Sequence, residues 1–167
     1  KLTFLTGFLL VALMTFGQAK SPENLLTSKY TGYYSSGDNA EKERVASFII
    51  YPESDTTVLF FFDSNNGPPS YSLGSYYGRV TIKADTGIFH KKFNPSIDAA
   101  CKWKFIFSKK KLVLQTMNGQ NSCGFGPAII ADGEFKQESS KIIDECLDVN
   151  GQAINFKALK PENYQKK

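Results

Sequence analysis

Along most of the chain, apolar side chains recur at every second position in short runs, the period of a strand with one face buried. The clearest run begins at Cys101, where Cys101, Trp103, Phe105 and Phe107 alternate with Lys102, Lys104 and Ile106. Folding back through a Lys109-Lys110 turn sets Phe107 opposite Leu112, Phe105 opposite Leu114, Trp103 opposite Thr116 and Cys101 opposite Asn118. One face is then aromatic and aliphatic, and the other carries Lys102, Lys104 and Gln115. A slip of one residue would bury the lysines, so this register is well specified.

A second pair of runs, residues 43–51 and 56–62, flanks the turn Pro52-Glu53-Ser54-Asp55. With Tyr51 opposite Thr56, Ile49 faces Val58 and Phe48 faces Leu59, and both faces of the hairpin are apolar. Such a hairpin is covered on both sides or lines an internal cavity. Further strands are expected at residues 32–35, 79–84, 88–93 and 133–136, with Asp85-Thr86-Gly87 as a turn between two of them.

Near the C-terminus, Ile142, Ile143, Cys146 and Leu147 are spaced as a helical stripe, whereas Asn150-Gly151 before Ile154 and Phe156 is a hairpin signal. A closing hairpin and a short helix before it both stand as readings. About eight antiparallel strands with short turns predict a mainly-β chain, a single small antiparallel β-barrel over residues 30–160.

The two ends differ from this body. Residues 1–19 open with Lys1, carry the apolar run Phe8-Leu9-Leu10-Val11-Ala12-Leu13-Met14, and end in Gly17-Gln18-Ala19. That is the pattern of a secretory signal peptide, expected to be cleaved after Ala19. A membrane anchor needs about 20 apolar residues, and this run is broken by Thr3, Thr6, Gly7 and Thr15. Residues 20–29 are expected to be a flexible tether and residues 161–167 a polar tail. Export implies an extracytoplasmic, disulfide-permissive setting, periplasmic or secreted, with no membrane span after cleavage; a monomer is expected.

Composition narrows the chemistry. The 167 residues are 41% hydrophobic and 14% aromatic, with one histidine and three cysteines, enough for one packed domain and too little for two. A zinc site or a histidine-based triad has little material here. His90 is followed by Lys91 and Lys92, and Asp132/Glu134 and Asp144/Glu145 are carboxylate neighbours of a kind common by chance. No phosphate loop, metal-ligand spacing or nucleophile elbow occurs. An enzyme is not expected, nor a cofactor, a metal or nucleic acid.

Asn118-Gly119 can turn the chain so that Cys123 reaches Cys101 and bridges it, the alternative being two buried thiols; Cys146 is then left free. Residues 79–111 hold nine basic side chains against Asp85 and Asp98, and the rest of the exported chain is acidic on balance. This asymmetry steers an anionic partner, unless the lysines serve only as solvent-facing strand residues. A second candidate surface is a long loop over residues 63–78 with Tyr71, Tyr76 and Tyr77, which forms a binding rim or folds inward as a structural corner.

Three stretches carry a resemblance. They are Asn66-Gly67-Pro68-Pro69-Ser70-Tyr71-Ser72-Leu73-Gly74-Ser75-Tyr76-Tyr77-Gly78-Arg79, Cys101-Lys102-Trp103-Lys104-Phe105, and Cys123-Gly124-Phe125-Gly126 running on to Ala131-Asp132-Gly133-Glu134-Phe135. Together they resemble a group of small exported bacterial proteins of uncharacterised function, and the cysteine-containing part is similar to lysozyme-inhibitor-like domains. The resemblance implies a compact β-barrel that binds a partner, with Cys101 and Cys123 bridged. The expected function is therefore a non-catalytic binding module for a macromolecule or glycan, through Tyr71, Tyr76, Tyr77, Arg79, Lys102 and Lys104. The competing reading is a lipocalin-like carrier of a small apolar ligand, motivated by Phe48, Phe60, Phe61 and Phe62 on the two-faced hairpin.

Overall fold

The computed structural model describes residues 20–92, 100–118, 123, 125 and 129–164. Eight strands follow one another round a closed antiparallel barrel: β1 Gly32–Ser36, β2 Val45–Pro52, β3 Thr57–Asn65, β4 Leu73–Lys83, β5 Thr86–Lys91, β6 Cys101–Ser108, β7 Lys111–Asn118 and β8 Gly133–Ser139. Each pairs with its sequence neighbour, and β1 closes the ring against β8. Two further strands, β9 Glu145–Leu147 and β10 Ala153–Asn155, form a separate hairpin. The short helix weighed for the C-terminal segment is replaced by β9 and its irregular approach. Among the described residues helical structure is confined to short 3-10 turns, and no helix is long and apolar enough to cross a membrane.

Strand alternation sends one set of side chains to the barrel axis. Phe48 and Ile50 of β2, Val58, Phe60 and Phe62 of β3, Trp103, Phe105 and Phe107 of β6, Leu112 and Leu114 of β7 and Phe135 of β8 are all buried in one cluster. Rings this large need small neighbours, and Gly78 supplies one: a Cβ there would lie 2.5 Å from Cζ of Phe60. Gly32 makes the closure feasible, since its φ is +128° and a Cβ would lie 1.8 Å from the carbonyl oxygen of Ser139 on β8.

The β6–β7 hairpin has the expected register, with Phe107 opposite Leu112, Phe105 opposite Leu114 and Trp103 opposite Thr116. A bulge between Lys102 and Trp103 sets Lys102, rather than Cys101, opposite Asn118. Cys101 nonetheless bonds Cys123. The expected β2–β3 register is wrong by three residues: Ile49 faces Phe61 and Phe48 faces Phe62. The turn is residues 53–56, closed by the Glu53 and Ser54 amides donating to the Thr57 carbonyl. In this register Phe48 and Ile50 point inward with Phe62 and Phe60, while Tyr51 and Leu59 share the outer face.

That outer face is covered. Tyr51, Leu59, Phe61 and Tyr77 pack beneath Ile154 and Phe156 as a second core outside the barrel. The Tyr51 and Phe156 rings stack at 5.5 Å, and the Tyr77 hydroxyl donates to the Leu159 carbonyl at 2.6 Å. Asp148 organises the β9–β10 turn by accepting from the Asn150 and Gln152 amides and from the Tyr164 hydroxyl. Asn150-Gly151 thus lies inside a five-residue connection, residues 148–152, instead of forming a two-residue turn. Residues 20–29, expected to be a tether, are wound into 3-10 turns against the β2–β3 turn. The Thr27 hydroxyl there donates to the Ser54 carbonyl and Lys20 pairs with Asp55.

Burial pushes the Tyr34 phenol up to about 12 and raises those of Tyr76 and Tyr77 too. An acid whose native pKa lies above its unfolded value of about 10 stabilises fully below that pH, and the contribution is lost as pH rises through the native value. The urea midpoint is therefore expected to hold steady to about pH 9 and to fall between about pH 10 and 12. A midpoint flat across that window would contradict the burial of these phenols.

Candidate functional site

The outer faces of β5, β6 and β7 contain no carboxylate in any of the three strands. Antiparallel pairing sets His90 of β5 opposite Lys102 of β6 and Ile88 opposite Lys104, which in turn faces Gln115 of β7. Their barrel-facing neighbours are Phe89, Trp103, Phe105 and Leu114, so the alternation that builds the core also holds this basic row outside. Lys102 and Lys104 form no ion pair among the described residues. By contrast, Lys111 pairs with Glu134 at 2.5 Å and Lys136 with Glu138 at 3.3 Å. Two neighbouring cations without local counter-charge leave a positive potential on this side of the barrel.

Beside this face the wall is parted. β4 and β5 pair only through Thr81–Ile88, Ile82–Gly87 and Lys83–Thr86, so their farther ends separate. The gap holds a recess of about 270 Å3 lined by Tyr76, Gly78, Arg79, Phe89, Lys91 and Glu162. The half-buried Tyr76 ring lies 5.2 Å from Phe89, with the Lys91 ammonium 5.7 Å from its centroid. Arg79 is committed to a clamp: it donates to both Glu53 oxygens, at 2.5 and 2.7 Å, and to Glu162. Burial alone would raise the Glu53 pKa, but hydrogen bonds from Arg79 and Lys160 outweigh it and hold the carboxyl below its usual value. Arg79 therefore ties β4 to the β2–β3 turn and to the C-terminal turn.

The six residues singled out from the sequence are thus dispersed. Lys102 and Lys104 lie on the basic face, and Tyr76 and Arg79 line the adjoining seam. The loop expected over residues 63–78 is in fact residues 66–72, because β3 runs to Asn65 and β4 begins at Leu73. Tyr71 stays on that shortened loop, 52% exposed. Tyr77 is 2% exposed, sealed beneath the C-terminal segment and closed to any partner. Phe89, Lys91 and Glu162 were missed, since nothing local marks where two paired strands part.

The titratable groups weighed for chemistry have other employment. Asp132 accepts the Thr116 amide, Glu134 holds Lys111, and Asp144 holds Lys157. His90 is exposed on the basic face. Among the described residues there is no group of three His, Cys, Asp or Glu side chains able to hold a metal. The Cys146 thiol, half-buried against the second core, is pushed up to about 12 by burial and by the nearby Asp148 and Asp63. It is protonated at neutral pH and a poor nucleophile. Native protein at about pH 8 is expected to resist iodoacetamide. Denaturation should expose one reactive thiol, and reduction should expose all three; rapid alkylation of the native chain would contradict this placement of Cys146.

No family model, curated protein or solved structure matches this chain.

Proposed function

We propose that the protein is an exported, non-catalytic binding module that takes an anionic partner, a glycan or an acidic protein, on the β5–β7 face. The observation that carries this reading is the pair Lys102 and Lys104, unneutralised on a surface without carboxylates. Export is supported by the signal-like pattern of residues 1–19 and by the buried Cys101–Cys123 bond, which fits an oxidising compartment. The likeness to lysozyme-inhibitor-like domains agrees with a partner-binding barrel. A strongly basic enzyme would nevertheless meet like charge at this face. For a lipocalin-like carrier the ligand would sit on the barrel axis, which is occupied here by Phe48, Phe60, Phe62, Trp103 and Phe105.

Titration with a sulfated polysaccharide tests the assignment. Binding should weaken by about tenfold or more between low and physiological salt, as exposed charges are screened. Replacing Lys102 and Lys104 together by glutamate should weaken it about tenfold or more, while Lys136→Glu on β8 changes little. Salt-insensitive binding, or equal loss in the two variants, would remove the basic face from the function.

A further inference from the structure

At the end of the barrel opposite the Cys101–Cys123 bond lies a second recess, of about 330 Å3. Two hairpin turns and the N-terminal segment build it. Lys29 and Tyr30 enter from the segment before β1, Asp85 from the β4–β5 turn, Lys109 and Lys110 from the β6–β7 turn, and Gln137 from β8. Asp85 accepts from the Lys29 ammonium at 2.8 Å and from the Tyr30 hydroxyl, so one lysine and one carboxylate cancel. Lys109 and Lys110 have no ion pair among the described residues, and the recess keeps an excess of positive charge.

Its lining is polar in a particular way. The Gln137 side-chain amide donates to the Thr31 carbonyl at 2.8 Å, which leaves its oxygen as an acceptor. The buried Tyr34 hydroxyl donates to the Tyr30 carbonyl at 2.8 Å and fixes the floor, and Ser108 adds a hydroxyl at the rim. The buried Tyr30 and Phe107 rings, 4.6 Å apart, supply the apolar backing. Both turns place side-chain-bearing residues in the left-handed region, Asp85 at φ +62° and Lys110 at φ +58°. Glycine or asparagine is the ordinary choice in such hairpin turns.

We propose that this recess binds a single anionic saccharide unit, a sugar bearing a carboxylate, sulfate or phosphate, with its oxyanion on Lys109 and Lys110 and its hydroxyls on Gln137 and Ser108. The volume is about ten times a water molecule's share of the liquid, too large for a bare oxyanion, and it falls within the range of small-molecule sites. Acceptors facing two uncompensated cations suit a hydroxylated anion and not an apolar ligand. The inference does not rest on Lys102 and Lys104, neither of which lines this recess.

Two-dimensional amide NMR titrations with glucuronate, glucose 6-sulfate and glucose 6-phosphate test it, with glucose and inorganic sulfate as controls. At least one acidic sugar should give saturable shifts at Asp85, Ser108, Lys109, Lys110 and Gln137. The pair Lys109→Gln and Lys110→Asn, which tolerates the left-handed turn, should weaken binding about tenfold or more while leaving the rest of the spectrum unchanged. Lys102→Glu with Lys104→Glu should leave it intact, which separates this site from the basic face. Comparing the three sugars identifies which oxyanion is preferred. No saturable shift with any acidic sugar would overturn the proposal. So would glucose or sulfate alone binding as tightly, or shifts confined to the surroundings of Lys102 and Lys104.

Discussion

The interlocking of aromatic rings on the barrel axis is the constraint from which the rest follows. Phe48 of β2 meets Phe62 at 4.9 Å, Phe105 at 5.7 Å and Phe135 at 4.9 Å, and so joins strands that are not neighbours in the sheet. Trp103 joins the same network, in contact with Phe60, Phe62, Phe89 and Phe125. An eight-stranded barrel has an interior just wide enough for side chains to fill, and here aromatic rings of β2, β3, β6 and β8 occupy it. Each pair of rings adds about 0.5–1.5 kcal/mol beyond the area it buries. The gain is shared among several strands, so the barrel holds together as one unit.

With the rings on the axis, the outer face of the wall is divided into sectors. Over β2, β3 and β4 the outward Tyr51, Leu59, Phe61 and Tyr77 serve as the floor for the C-terminal hairpin. Along β7 and β8 the outward charges neutralise one another, as Lys111 does with Glu134. On β5 and β6 they do not, and Lys102 and Lys104 face solvent with no acid on the three strands around them. The Arg79 clamp to Glu53 and Glu162 stands at the border between the covered sector and the basic one. It fixes the C-terminal turn beside the parted seam of β4 and β5. Apolar packing and uncompensated charge thus occupy different arcs of the same wall.

How much of this was legible in the sequence depended on whether a strand's two faces differ. β6 and β7 alternate apolar with polar, so only one register buries the rings and frees the lysines, and that register is the one observed. β2 and β3 are apolar on both faces, because one lines the barrel axis and the other lies beneath Phe156. Alternation then carries no register information, and the pairing was misplaced by three residues. The long tyrosine loop failed for a related reason. Gly74 and Gly78 interrupt the apolar alternation of β4, because they are inward strand positions that make room for Ile129, Phe125 and Phe60. The basic face was visible as a charge imbalance. The seam and the recess beneath the two hairpin turns were not, because strand divergence and the meeting of two distant turns leave no local signature.

Trp103 is the chain's one tryptophan, 1% exposed on the barrel axis, and its fluorescence reports directly on whether the interior is filled. A filled barrel predicts blue-shifted emission, resistance to iodide quenching, and a spectrum unchanged by titration with long-chain fatty acids or other apolar ligands. Saturable quenching or a spectral shift at stoichiometric apolar ligand would mean the axis is hollow, and would contradict the claim that this barrel works from its outer surface.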